Sequence, residues 1–195
     1  MARFLTSLMC ALLLLTAGCQ TSSPLASHPE YGKIQDEVSH VIESLRNSNG
    51  VDVVSNLNRL HAYAEFAVPQ LCELAEDPNP QMRGNAMWVL AKITDRNYPE
   101  VQEQINDVLW DGLDDRDHLV RYEAATGLLA RNQWDSIPVI LEGMQDQNPQ
   151  VRMSCHDVLR TMTSRDYGYV ASASEEERMV AMALWSDWYE DWQSQ

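Results

Sequence analysis

A phrase of Asp, four further residues, an aliphatic side chain and Arg occurs three times in this chain: Asp77 to Met82-Arg83, Asp115 to Val120-Arg121, and Asp146 to Val151-Arg152. Each copy continues into a small residue four positions after the aliphatic (Ala86, Ala124, Cys155) and a Leu four positions further on (Leu90, Leu128, Leu159). Steps of four keep one stripe of an α-helix apolar. Recurrence of the whole phrase, at spacings of 38 and 31 residues, signals an array of stacked helix pairs sharing one continuous core. The expected fold is all-α: a right-handed α-solenoid of about four helix pairs, closed by a C-terminal capping helix.

The rest of the pattern places the pairs. Ile34, Val38, Val41, Ile42 and Leu45 fall on one helical face from Lys33 onward, and Asn47-Ser48-Asn49-Gly50 ends that helix. Val53, Val54, Leu57 and Leu60 begin another. This first pair lacks the Asp and Arg, as a terminal repeat often does. First helices of the three full pairs are expected over residues 67–76, 101–113 and 136–145, and second helices from Met82, Val120 and Val151. Pro69 and Pro138 each lie 13 residues before the aliphatic, where a first-turn Pro fixes the helix start without costing a hydrogen bond. Pro80 and Pro149 occupy matching turns before the second helices. The second full pair has Asp107 in place of the Pro and carries an insertion around residues 95–104.

The first-helix Pro, the turn Asp, the aliphatic-Arg pair and the small residue resemble the HEAT repeat, in the short bacterial form also seen in phycobilisome-lyase-type proteins. The resemblance covers residues 33–163, within a repeat region expected over 33–168. It implies that Asp77, Asp115 and Asp146 with Arg83, Arg121 and Arg152 form a structural ladder between neighbouring repeats. The residues themselves point the same way, because a side chain repeated at one register in every unit is better explained by stacking than by a single ligand. Residues 169–195 read as a Trp-rich capping helix. Ser174-Glu175-Glu176-Glu177 is a capping box, after which Ala181, Trp185, Trp188 and Trp192 share a face. The run from Asp166 to Trp192 resembles a tail that follows HEAT repeats in other bacterial exported proteins. Docking onto a partner, or resting at a membrane interface, is the competing role for these aromatics.

At the other end, Arg3 precedes an apolar stretch of 12 residues over 4–15, shorter than the roughly 20 a spanning helix needs but suited to a secretory signal. Leu15-Thr16-Ala17-Gly18-Cys19 resembles a bacterial lipobox, with Thr16 where Leu is commonest. The resemblance implies a lipoprotein: a signal peptide over 1–18, a diacylglyceryl group on the Cys19 sulfur and palmitate-type chains. The polar, Pro-broken composition that follows reads as a flexible tether over 19–32. A thiol suits that step as the soft nucleophile, and two or more acyl chains suffice for stable anchoring. An ordinary signal peptide with an incidental Cys is the alternative. Lipid anchoring places the protein at the cell membrane or outer membrane, facing the periplasm or exterior. Gln20 after the Cys suits the outer one where a cell has two.

Fourteen Lys and Arg stand against 29 Asp and Glu, for a net charge of −15. That balance disfavours nucleic acid, whose phosphates need cationic partners. Cys72 and Cys155 lie two repeats apart, so a disulfide is not expected, and Cys155 shares the register of Ala86 and Ala124. No nucleophile, acid–base pair or phosphate loop is arranged for catalysis, and His28, His40, His61, His118 and His156 lack the spacing that puts two imidazoles on one metal. The turn Asp114, Asp115, Asp117 and His118 lacks a calcium loop's spacing. No enzyme activity, cofactor or metal is expected.

A binding surface fits better. Positions 2, 6 and 9 after each aliphatic point away from the repeat's own core. In HEAT-like stacks the second helices line the concave face. Trp88, Tyr122, Leu129 and Met153 there form an expected partner-binding concave face, of the aromatic and Met character that interfaces use. Filling of gaps between adjacent second helices is the alternative role for these four. The expected function is a membrane-tethered protein–protein interaction scaffold of the cell envelope. An accessory or lyase-like factor of an envelope enzyme, suggested by the phycobilisome-lyase resemblance, and a purely structural envelope protein are the alternatives.

Overall fold

The computed structural model describes residues 24–94 and 97–194. The expected signal segment over 1–18 and Cys19 lie outside the described residues. Within them the chain forms nine α-helices and no strand: α1 (Tyr31–Arg46), α2 (Val51–Ala62), α3 (Val68–Leu74), α4 (Pro80–Lys92), α5 (Pro99–Gly112), α6 (His118–Ala130), α7 (Ile137–Gly143), α8 (Pro149–Thr163) and α9 (Glu175–Gln193). None of these is long and apolar enough to cross a membrane.

The proline pattern explains why the first helices differ in length. Pro69 and Pro138 sit in the first turns of α3 and α7, each of which is preceded by a 3-10 turn (Ala64–Ala67 and Trp134–Ser136). A Pro has no N–H to give to the preceding turn, so the α-helix restarts there. Asp107 carries no such restriction, and α5 runs unbroken for 14 residues from Pro99. The second helices start alike. Asn79, Asp117 and Asn148 each cap the helix that follows, accepting from the N–H of Gln81, Leu119 and Gln150 at 3.0, 2.9 and 2.9 Å. Such caps satisfy donors that the first turn leaves open.

Helices α2, α4, α6 and α8 pack side by side in chain order, each also against its own first helix, and α9 lies along α7. The buried side chains fall into two clusters that meet at α6. Its Val120, Ala124 and Leu128 belong to the cluster built by α1 to α5, while Tyr122, Ala125 and Leu129 belong to the one built with α7, α8 and α9. Helix α6 is therefore buried on two sides. Close approach between helices is possible where small residues meet: a Cβ added at Gly127 of α6 would stand 2.6 Å from the Ala91 Cβ of α4, and one at Gly143 of α7 would stand 2.5 Å from the Cys155 Sγ of α8.

Packing begins earlier than the sequence suggested. The segment expected to be a tether over 19–32 includes a 3-10 turn at Pro24–Ser27 whose Leu25 is buried in the first cluster, and α1 starts at Tyr31. One buried apolar side chain is enough to pin such a segment, and periodicity does not register a single anchor. At the other end, α9 buries Ala181, Met182, Trp185 and Tyr189, with Trp188 and Trp192 at the edge of that face. Ser174 and Glu177 form the reciprocal capping box at its start.

Candidate binding groove

The Asp and Arg of the repeated phrase act first within each copy. Asp77, Asp115 and Asp146 accept from the N–H of Asn79, Asp117 and Asn148 at 2.8, 2.7 and 2.7 Å, fixing the turn. Arg83, Arg121 and Arg152 each donate Nη1 to the carbonyl of that Asp, at 2.9, 3.0 and 2.7 Å. Links between copies are less uniform. Arg83 makes a two-pronged bond to Asp115 at 2.6 and 2.7 Å, and Arg46 at the end of α1 reaches Asp77 at 2.5 Å. The expected third rung from Arg121 to the Asp146 carboxylate is absent. Arg121 turns to Glu142 at 3.1 Å, and His118 stands 3.5 Å from Asp146 instead. Arg152 has no further Asp to meet and ends on the carbonyl of Ala171 at 2.8 and 2.5 Å. The hydrogen bond from Arg83 holds the Asp115 carboxyl below the ordinary carboxylate range. Burial opposes ionisation at Asp77, but Arg46, the Asn79 N–H and Arg83 outweigh it and lower that group too. All six residues thus hold turns in place, and several of them link neighbouring helix pairs.

The four residues expected on one binding face are not equivalent. Trp88 is partly buried and Met153 is exposed, but Tyr122 and Leu129 are buried in the second cluster. The reason is the two-sided burial of α6: positions 2 and 9, which face outward on a helix with one packed side, here face α7 and α8. Tyr122 is also tied down, its hydroxyl donating to Glu142 at 3.3 Å, and burial pushes that phenol up to about 12. Met153 lines a separate hollow of about 450 Å³ near the last turn, with His156, Asp157 and Tyr169.

Trp88 and Tyr122 do come together, at a groove of about 380 Å³ where α4, α6 and α8 lie side by side. Trp88, Ala91 and Lys92 form one wall, Val151, Ser154, Cys155 and Val158 the other, and Leu119, Tyr122, Glu123, Thr126 and Gly127 the floor. Leu119 is 42% exposed, so part of this lining is open to solvent. Cys155 is the reverse: burial pushes its thiol up to about 12, which leaves it protonated and inert.

Glu123 is the residue that the sequence pattern did not mark. It is partly buried, and its carboxylate accepts no hydrogen bond among the described residues. Burial raises its pKa, against the opposing charge of Lys92. The Lys92 Nζ itself lies 4.5 Å from the centre of the Trp88 ring, a cation–π contact. Asn85 and Ser154 hold the same register as Glu123 on α4 and α8, three residues past the aliphatic, so one polar position recurs along this row of helices. Its only signal in the sequence was polarity between apolar neighbours.

Among the described residues no group of three His, Cys, Asp or Glu is placed to hold a metal ion. The groove offers apolar surface, an aromatic face and one partly buried carboxylate. No protein-family model matches the chain, and comparison with curated proteins yields no significant relative.

Proposed function

We propose that this protein is a lipid-anchored α-solenoid of HEAT-like repeats that recruits another protein at the cell envelope, with the groove between α4, α6 and α8 as its docking surface. The observation that carries the reading is the groove itself: a hollow of about 380 Å³ crossed by three helices of the repeat row and lined by partly open apolar side chains. Interfaces of this kind place aromatic anchors among apolar neighbours and keep charge to the margins. The lipobox-like sequence at Cys19 and the all-helical body fit a tether and a platform.

Two experiments test this. Incorporation of labelled palmitate into the wild-type chain, lost in Cys19→Ser, is the expected result for the anchor; unchanged labelling overturns it. For the docking surface, cross-linking in native membranes is compared between wild type and a Trp88→Asp, Leu119→Asp variant whose helical circular dichroism is unchanged. Loss of one specific cross-linked protein in the variant supports the groove. An unchanged set moves the contact elsewhere, and no specific partner in either sample favours a purely structural envelope protein.

A further inference from the structure

We propose that the groove receives a lysine or arginine side chain of the partner polypeptide, its charged head on the Glu123 carboxylate and its stem along the apolar lining. This rests on the docking role proposed above and names the chemistry of the partner. Three observations converge on it. Glu123 is a partly buried carboxylate that is not among the buried polar groups lacking a partner, so its oxygens stay open to solvent and within reach of an incoming donor. The surroundings of that carboxylate are apolar, from Trp88, Leu119, Val151 and Val158, which suits the methylene stem of a long cationic side chain. Charge complementarity acts at longer range too, since a chain of net charge −15 steers cationic partners toward itself.

Lys92 marks the site's preference. It is exposed, it reaches in from the end of α4, and it rests its ammonium 4.5 Å from the Trp88 ring centre. It is also the cation whose charge acts on Glu123. The other residues of the lining carry no formal charge: Tyr122, Thr126 and Gly127 from α6, and Gln150, Ser154 and Cys155 from α8. A partner's cation therefore competes with a single side chain of this protein, held only at an exposed margin. Removing Lys92 is expected to strengthen binding and removing the Glu123 charge to weaken it.

The test uses the full chain, labelled with 15N and held in non-ionic detergent, titrated with acetylated and amidated Leu-Lys-Leu and with its norleucine counterpart Leu-Nle-Leu. The Trp88 indole and Gly127 amide signals report the groove. The lysine peptide is expected to bind roughly tenfold or more tightly than the norleucine peptide, the order of preference a charge-assisted hydrogen bond confers. Glu123→Gln removes that preference, and Lys92→Met increases affinity for the lysine peptide. Equal binding of the two peptides, or a preference that survives Glu123→Gln, overturns the cationic reading and leaves the groove an apolar docking site. Spermidine binding at the groove as tightly as the lysine peptide overturns the polypeptide as occupant. Absence of groove shifts with both peptides at millimolar concentration overturns the docking surface as well.

Discussion

The close approach of α4 and α6 is a direct place to perturb the fold. A methyl group placed on Gly127 of α6 would meet the Ala91 Cβ of α4 at 2.6 Å and the Ala91 Cα at 3.6 Å. Carbon atoms rest at about 3.5–4.0 Å, so Gly127→Ala forces α4 and α6 apart by about 1 Å. The Arg83–Asp115 bond, at 2.6 Å, holds the same two repeats together at their edge and resists that movement. Overpacking of this type costs about 1–3 kcal/mol, and the upper end applies where relaxation is hindered. Ala improves helix propensity over Gly by about 1 kcal/mol, so the net destabilisation is about 2 kcal/mol. With a urea slope near 2 kcal/mol/M, that lowers the unfolding midpoint by about 1 M. Ala91→Gly alone costs about 1 kcal/mol for propensity. Combining the two moves the methyl from one helix to the other, so the double variant returns close to wild type and the coupling is about 3 kcal/mol. A Gly127→Ala protein more stable than wild type, or a coupling near zero, would refute the close approach of α4 and α6.

Three further outcomes follow from the rungs and the C-terminal end. Arg83→Met strands the Asp115 carboxylate, 12% exposed, and is expected to cost about 3–5 kcal/mol, whereas Arg121→Met loses one carbonyl bond and a pairing with an exposed Glu142, about 1–2 kcal/mol; equal losses in urea unfolding would show that the rungs do not differ. Acidification is expected to destabilise the protein in two stages. His156 is held below its ordinary 6.5 by burial, so its contribution is complete above that value and is lost as pH falls below it. Asp77 and Asp115 lie below their ordinary 3.8, so theirs is lost only as pH falls below that value toward the folded pKa. Thermal melts from pH 8 to 3 should show both stages, and His156→Gln should remove the first alone; an unchanged profile in that variant would sink the assignment. Trp185→Ala empties a fully buried site between α8 and α9 and should cost about 3–5 kcal/mol in urea unfolding, a small effect arguing that α9 does not seal this end.

The helix pairs were legible because stacking repeats its requirements. Met82, Val120 and Val151, then Ala86, Ala124 and Cys155, then Leu90, Leu128 and Leu159 are the same three contacts made three times. The caps carry a fainter signal: Asn79, Asp117 and Asn148 recur two residues after each Asp, among the four residues of the phrase whose identities vary. The uneven ladder was not legible, because Arg46 supplies a rung from outside the repeated phrase and His118 stands beside Asp146 while Arg121 is drawn to Glu142. Burial of Tyr122 and Leu129 between neighbouring helices stayed an open alternative for another reason. The period of one helix identifies the face toward its own repeat, and says nothing of a second face closed by the next.

Where the copies differ, stacking has released the position, and the groove draws on such positions. Six residues after the aliphatic stand Trp88, Thr126 and Asp157; three residues after it stand Asn85, Glu123 and Ser154. An aromatic ring with a neighbouring cation and a partly buried carboxylate therefore meet once, across α4 and α6, and at no equivalent place along the row. A ladder used for recognition would have presented the same surface to several ligands in succession. This arrangement presents one, and the expected stoichiometry of a cationic partner segment is one per chain. Isothermal titration of the Leu-Lys-Leu peptide measures it directly: a single site lost with Glu123→Gln is the expected outcome. Two or three equivalent sites would mean that recognition follows the repeated edge residues, and that the unrepeated groove is only a gap between helices.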